Sequence, residues 1–353
     1  MKRSLRLQNF YLDEIDIKHC PLGPDRGEDF LFCDHSRAGL HAQAVFDGCG
    51  GAGSWSYKEF QNHSGAYIAA RTISGNSAGF GAWFDRQDEE TCEDPQAAAL
   101  SYQEHAGAWL STLKQSCAPM ALAGSLVKAF PCTADIALMQ LAGPMKLNLT
   151  VLHCGDSRVY ALTPQGGLVQ LTDDDTKGHP DPLESLRESA PLSDMLNADK
   201  PFRIKPRRVF LPMPCAILCA TDGVFGYVRS PMDFEHLLLE AIAGTDSMDA
   251  FEKELEKRLT AITGDDTTLV MSFYGWGDIN WEHSPLVGQY HQARRRAILR
   301  DARVWDSVKG LMEPRRREVA ALIRRIDGAP DPDAAIHEIW PAYQKQTVYS
   351  ATH

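Results

Sequence analysis

The sequence predicts an α+β protein: one large core of antiparallel strands with flanking helices, followed by a separate helical segment. Three observations predict it. Short apolar runs at 134–141, 147–153, 159–162 and 169–171 are joined by tight turns at Gly143-Pro144, Gly155-Asp156 and Gly166-Gly167, the pattern of an antiparallel meander. Apolar residues at helical spacing recur on either side of that region, including Met248, Phe251, Leu255, Leu259 and Ile262 on one face. Beyond Trp276 the composition changes, with a local excess of Lys and Arg between residues 291 and 327. A length of 353 residues is long for one domain and short for two large ones, so the division expected is a core of residues 1–278 and an extension of residues 279–353.

The elements follow in order. Residues 1–20 alternate loosely, as an edge strand does. The polar turn Pro24-Asp25-Arg26-Gly27-Glu28-Asp29 runs into the apolar strand Phe30-Leu31-Phe32, and a second strand, Ala44-Val45-Phe46, ends in Asp47-Gly48. Ser54 is placed to cap a helix whose apolar side includes Phe60, Tyr67 and Ile68. A longer helix is expected from 95 to 126, with Leu100, Trp109, Leu110 and Leu113 spaced for one buried face. After the meander, residues 172–206 are polar and proline-bearing and read as a surface excursion. Runs at 209–211 and 216–220 read as another hairpin, the second ending in Thr221-Asp222-Gly223. Helices around 234–242 and 248–262 lead to a last strand, 267–273, entered directly from Gly264-Asp265-Asp266. The extension reads as three helices, 288–312, 314–327 with Pro314 in its first turn, and 333–344. Its apolar residues Ile298, Trp305, Val308, Val319, Leu322, Ile326, Ile339 and Trp340 are expected to pack on each other or on the core.

Composition narrows the function. A net charge of -11 argues against a nucleic-acid coating role and suits a protein that gathers cations. The nine cysteines lack paired C-x-x-C spacing, and several lie in apolar runs, so reduced thiols and a cytoplasmic location are expected. Residues 1–19 are too polar for a signal peptide, and no apolar run approaches the length of a membrane span.

Four carboxylates stand beside glycine where an apolar strand starts or stops: Asp47-Gly48, Gly155-Asp156, Asp222-Gly223 and Gly264-Asp265. Gathering them with Glu28 and Asp29 is costly unless cations neutralise the set. Several hard oxygens per ion describe Mg²⁺ or Mn²⁺, and Gly48 lets its backbone carbonyl approach as closely as a carboxylate does. Two such ions sharing a water would lower its pKa and aim it at phosphorus, which points to phosphate-ester hydrolysis.

The ordered set Glu28-Asp29, Phe46-Asp47-Gly48-x-Gly50-Gly51, Thr133-Ala134, Gly155-Asp156-Ser157-Arg158, Leu171-Thr172-x-Asp174, Ala220-Thr221-Asp222-Gly223 and Asp265-Asp266-x-Thr268 resembles the metal-dependent protein phosphatases of the PP2C type, over about residues 20–275. The resemblance implies a four-layer α-β-β-α sandwich of two antiparallel sheets, with the metals at one end, plus the C-terminal helices. It implies that Asp47 bridges two Mg²⁺ or Mn²⁺ ions, that Gly48 gives its carbonyl to one and that Asp222 and Asp265 hold the other. Glu28 and Asp29 match the pair that orders metal-bound waters, and Asp156 with Asp222 matches a third, looser site. The implied activity is hydrolysis of phosphoserine and phosphothreonine in a protein substrate by direct attack of water, opposing a kinase.

The sequence departs from the family at three places. Cys49 stands where the motif usually has the histidine that protonates the leaving alkoxide. Pro24 stands where a phosphate-clamping arginine is frequent, leaving Arg26 as the nearest substitute. Gly226 replaces a common aspartate. Cys49 and the missing arginine favour a second reading, a catalytically weak metal-binding module that acts through its C-terminal helices, while the intact carboxylate set favours the phosphatase; a phosphatase for a small phosphorylated molecule is a third. Ser157 lacks a histidine partner at motif spacing, His153 reads as a strand residue and Arg158 as a loop anchor. The clusters Arg294-Arg295-Arg296 and Arg315-Arg316-Arg317 read as solvated helix faces, or as a surface for an acidic partner or for the chain's own acidic body.

Overall fold

The computed structural model describes residues 11–23, 26–36, 39–118, 127–143, 145–178, 181–187, 190–276 and 302–346. Strand β1 (Tyr11–His19) is followed by β2 (Asp29–Asp34), β3 (His41–Asp47) and the two-residue pair β4 (Ser56–Tyr57) and β5 (His63–Ser64). Helices α1 (Gly65–Ile73), α2 (Phe80–Phe84) and α3 (Pro95–Gln115) precede β6 (Ala134–Gly143), β7 (Lys146–Cys154), β8 (Arg158–Thr163) and β9 (Gly167–Gln170). A short α4 (Pro182–Ser185) leads to β10 (Lys205–Pro212) and β11 (Cys215–Ala220). The remaining elements are α5 (Asp222–Phe225), α6 (Pro231–Ala243), α7 (Met248–Thr260), β12 (Thr267–Tyr274), α8 (Ala302–Asp327) and α9 (Pro332–Gln346).

The strands form two five-stranded antiparallel sheets, ordered β1-β12-β11-β8-β9 and β10-β7-β6-β3-β2. Period-2 alternation assigns their faces. Along β11, Cys215, Ile217 and Cys219 join the apolar layer between the sheets, while Ala216, Leu218 and Ala220 face outward under the helices. Along β3, Val45 faces the other sheet, and Ala42, Ala44 and Phe46 pack outward with residues of α1, α2 and α3. Three apolar layers thus separate four layers of secondary structure, as the resemblance implied.

The topology corrects two expectations. The Gly155-Asp156 turn does not close a hairpin, because β7 lies in one sheet and β8 in the other; the chain crosses the sandwich there. It crosses again between β10 and β11, which were also expected to pair. Nearly every residue of β7, β8 and β11 is buried, so their apolar runs carry no mark of which sheet they join.

Helix boundaries shift as well. The helix expected from Ser54 begins at Gly65, where Ser64 accepts the amide of Tyr67, and Phe60 falls in a 3-10 turn. Helix α3 ends at Gln115, residues 119–126 lie outside the described residues, and Leu100 is exposed rather than buried. Ile262 lies past the end of α7 and is exposed. The segments expected on either side of Pro314 are one continuous helix, α8, with the proline in its interior. Proline removes one backbone hydrogen bond there, so burial of one helix face must hold α8 together. Trp305, Val308, Val319, Ile326, Ile339 and Trp340 are all buried in the layer outside the first sheet, so the C-terminal helices pack on the core. Ile298, the Arg294–Arg296 cluster and the first part, 288–301, of the helix expected over 288–312 lie outside the described residues. Among the described residues no helix is long and apolar enough to cross a membrane.

Candidate metal centre

Antiparallel register brings distant carboxylates to one end of the sandwich. Asp29 at the start of β2 pairs with Asp47 at the end of β3. In the facing sheet, Asp222 follows the end of β11, and Asp265 and Asp266 precede the start of β12, its antiparallel neighbour. Asp156 occupies the crossing between β7 and β8. The result is a cleft of about 310 Å³ lined by Glu28, Asp47, Gly48, Cys49, Gly50, Gly51, Asp156, Leu192, Asp222, Asp265 and Asp266.

Hydrogen bonds fix these groups individually. The Asp47 amide donates to Thr133 Oγ1 at 3.1 Å, the Thr133 amide donates to the Asp47 carbonyl at 2.7 Å, and Thr133 Oγ1 also meets Ser157 Oγ at 2.8 Å. Thr221 Oγ1 donates to Asp29 Oδ2 at 2.6 Å, which leaves that carboxylate 2% exposed behind the cleft wall. The Glu28 amide donates to Asp266 Oδ2 at 2.6 Å, and Ser64 Oγ donates to Glu28 Oε1. Gly155 is at φ +119, and a Cβ there would stand 2.6 Å from the Thr133 side chain. Arg158 is buried, makes a bidentate pair with Asp174 at 2.9 and 2.7 Å and stacks over Phe225, so it anchors a loop as expected. His153 bonds Asp135 at 2.8 Å inside the protein, directly behind the Gly155-Asp156 crossing.

The electrostatics are those of crowded anions. Burial, then Asp29, Asp222 and Asp156, pushes Asp47 well above the usual carboxylate range. Burial and then Asp222 raises Asp156 to about 7; burial, relieved in part by the Thr221 hydroxyl but reinforced by Asp222, raises Asp29 to about 7. Asp222 rises to about 6 through burial and then Asp265. Burial, then Asp47 and Asp156, also pushes the Cys49 thiol up. Six of the eleven lining residues carry carboxylates and none is basic. An all-oxygen anionic donor set of this kind fits hard divalent cations, Mg²⁺ or Mn²⁺, and poorly fits softer metals.

The structure therefore brings Glu28, Asp47, Gly48, Cys49, Asp156, Asp222 and Asp265 together, with Asp29 immediately behind them. Arg26 is exposed and does not line the cleft. Sequence reasoning missed two contributors. Asp266 both lines the cleft and orders the Glu28 backbone, and the doubled Asp265-Asp266 was its only signal. Leu192 comes from the excursion between β9 and β10, where nothing local marks it.

Gly223 gives this geometry a direct check. A Cβ there would run into the Asp266 backbone carbonyl, so α5 and the start of β12 cannot both stay in place. Gly223→Ala is expected to destabilise the protein by about 1 to 3 kcal/mol or more, as overpacking does. It should also weaken divalent-ion binding; denaturation and ion titration of the same sample check both.

The family profile described as Protein phosphatase 2C matches residues 25–260. Among solved structures, the serine/threonine phosphatase Stp1 from Staphylococcus aureus superposes with a TM-score of 0.54 at 15% identity, covering 74% of this chain and 94% of that one. A bacterial serine phosphatase superposes with a TM-score of 0.51 at 14% identity, covering 74% and 96%. At such identities the likeness is one of fold. No curated protein matches the chain by sequence.

Proposed function

This chain belongs to the protein phosphatase 2C family, and from that premise we propose that it hydrolyses phosphoserine and phosphothreonine esters in a protein substrate, opposing a kinase in the cytoplasm. The observation that carries the reading is the cleft itself: six carboxylates, no basic side chain among the described lining residues, and mutual repulsion that bound divalent cations would relieve at neutral pH. Asp47, Gly48, Asp222 and Asp265 would hold two Mg²⁺ or Mn²⁺ ions, with Glu28 and Asp29 ordering their waters and Asp156 serving a third site. When bound, such ions supply charge for the phosphate oxygens and acidify water for attack on phosphorus.

The chain's own residues do the positioning. Thr133 holds the Asp47 backbone by both of its polar groups, and Thr221 holds the Asp29 carboxylate, so both residues are placed before charge develops at phosphorus. Leu192 is the one apolar side chain other than Cys49 among the described lining residues. Cys49 lines the cleft at the position of the family histidine and would take over its role of handing a proton to the leaving alkoxide. Cys49→His is therefore expected to keep or raise turnover, and steady-state kinetics check it. Collapse of metal binding in that variant would mean the corner is built differently.

Hydrolysis of a phosphothreonine peptide and of p-nitrophenyl phosphate, run in parallel with Mn²⁺, Mg²⁺ and a chelator, tests the proposal. Metal-dependent turnover of the peptide is the expected result. Turnover of p-nitrophenyl phosphate alone would favour a small phosphorylated substrate. Ion binding without turnover of either would favour the recognition module, which the lack of a basic side chain among the described lining residues also supports. We also infer that residues 1–278 are the phosphatase unit and residues 279–353 an extension fastened to it.

A further inference from the structure

A second cluster of metal-ligating side chains lies at the opposite end of the sandwich. Strand β1 runs with His19 beside Thr267 at the acidic end, which puts Glu14, opposite Ser272, toward the other. Strand β2 leaves the acidic end at Asp29, so Cys33, four residues on, is about 13 Å away along the strand. His35 follows directly after β2. The ligand atoms of Glu14, Cys33 and His35 all lie within 4.8 Å of one another: Cys33 Sγ is 3.1 Å from His35 Nδ1, and Glu14 Oε2 is 3.9 Å from the same nitrogen. In a tetrahedral zinc site, bond lengths of about 2.0 to 2.3 Å place ligand atoms roughly 3.3 to 3.6 Å apart, so small side-chain adjustments suffice.

The hydrogen bonds behind His35 decide how it is presented. Gln43, wholly buried between the sheets, donates from Nε2 to the Ile217 carbonyl at 2.9 Å, which turns its Oε1 toward Ser272. Ser272 Oγ donates its only hydrogen to that oxygen. At 3.0 Å from His35 Nε2, Ser272 Oγ can then only accept, so Nε2 carries the hydrogen. In its neutral form the ring then points its Nδ1 lone pair at Cys33 and Glu14. Orientation of one imidazole nitrogen by a hydrogen bond at the other is how proteins prepare a histidine for a metal.

We propose that Glu14, Cys33 and His35 form a zinc site, separate from the acidic cleft, that ties β1 of one sheet to β2 of the other. A thiolate, an imidazole and a carboxylate suit Zn²⁺, whereas the six carboxylates of the cleft suit Mg²⁺ or Mn²⁺. On binding, the Cys33 Sγ–H bond breaks, its proton leaves to solvent, and an S–Zn bond forms. The thiolate and the Glu14 carboxylate balance the two charges of the ion, and its fourth position stays open to water.

The test uses the full chain in excess Mg²⁺, which keeps the acidic cleft supplied with a hard cation, and Co²⁺ as the probe. A thiolate-to-cobalt charge-transfer band is expected at one equivalent of Co²⁺, and Zn²⁺ should displace it. Cys33→Ser and His35→Gln should abolish the band, Glu14→Gln should weaken Co²⁺ binding at least tenfold, and Cys49→Ser should leave the band in place. Absence of the band in the unsubstituted chain, its survival in Cys33→Ser, or its loss in Cys49→Ser overturns the proposal. Should the Cys33 variant fail to fold, alkylation of the unsubstituted chain decides. Zn²⁺ should slow modification of Cys33 at least tenfold where Mg²⁺ does not, and equal rates with the two ions overturn the proposal.

Discussion

Asparagine in place of Asp222 should lower metal-dependent phosphate-ester hydrolysis about a thousandfold, because it removes a charged ligand from ions whose stabilisation of the reaction is worth on the order of 4 kcal/mol. The same change should make the metal-free protein more stable. Asp222 stands beside Asp265, whose charge, after burial, raises its carboxylate to about 6. An amide of the same shape ends that repulsion. Activity and stability therefore move in opposite directions, and a variant that lost both would show that Asp222 holds the fold rather than the ions.

The pH dependence follows with a definite sign. Asp29 and Asp156 sit at about 7 in the folded protein against 3.8 for an unperturbed aspartate, so without divalent ions the fold binds protons more tightly than the unfolded chain. Their contribution to stability is complete below the unfolded value and is lost as pH rises through the folded value. In chelator, the melting temperature should thus climb as pH falls from about 7 toward 4, and Asp222→Asn should flatten that slope. With Mg²⁺ or Mn²⁺ present the climb should shrink, because the ions neutralise what the protons otherwise would. Thermal denaturation across pH, with and without chelator, reads both.

Arg315→Ala should cost about 3 to 5 kcal/mol, since it strands a buried carboxylate. Arg315 on α8 donates from Nε to Glu235 Oε1 at 2.7 Å and from Nη2 to Oε2 at 2.8 Å, and Glu235 on α6 is wholly buried. Tyr343 of α9 donates to the same carboxylate, and so does the amide of Leu168 in β9. Gly167 lets the β8–β9 turn pass this pair: it sits at φ +65, and a Cβ there would press on both side chains. One ion pair thus fastens both C-terminal helices to the core. Glu235→Gln in the Arg315→Ala background should recover part of the loss, because a neutral amide is cheaper to bury than a stranded anion. Chemical denaturation of the single and double variants gives the comparison, and failure of the second change to recover anything would mean that lost packing, not stranded charge, sets the cost.

The chemistry of the cleft was legible in the sequence because each of its parts is local. An apolar run that stops at Asp-Gly names a strand end, a carboxylate and a close backbone approach within four residues, and Asp47, Asp156, Asp222 and Asp265 all carry that mark beside glycine. Repulsion among such groups already implied cations. Arg315 was legible only in part: its arginine run read as a solvated face or as a surface for the chain's own acidic body, and the placement of Glu235 decides for the second. Arg26 looked like a stand-in phosphate clamp until the fold left it outside the cleft.

What the residues alone determined was the inventory: strands, helices, their approximate limits and the acidic corners, all set by neighbours a few positions apart. The tertiary structure decided which sheet each strand joins, that β7 and β8 lie in opposite sheets instead of pairing, and that Glu14, Cys33 and His35 meet at its far end. Alternation along a strand tells which side chains share a face. Strands buried on both faces offer no such contrast, and pairing between segments tens or hundreds of residues apart is chosen by the packing of the whole.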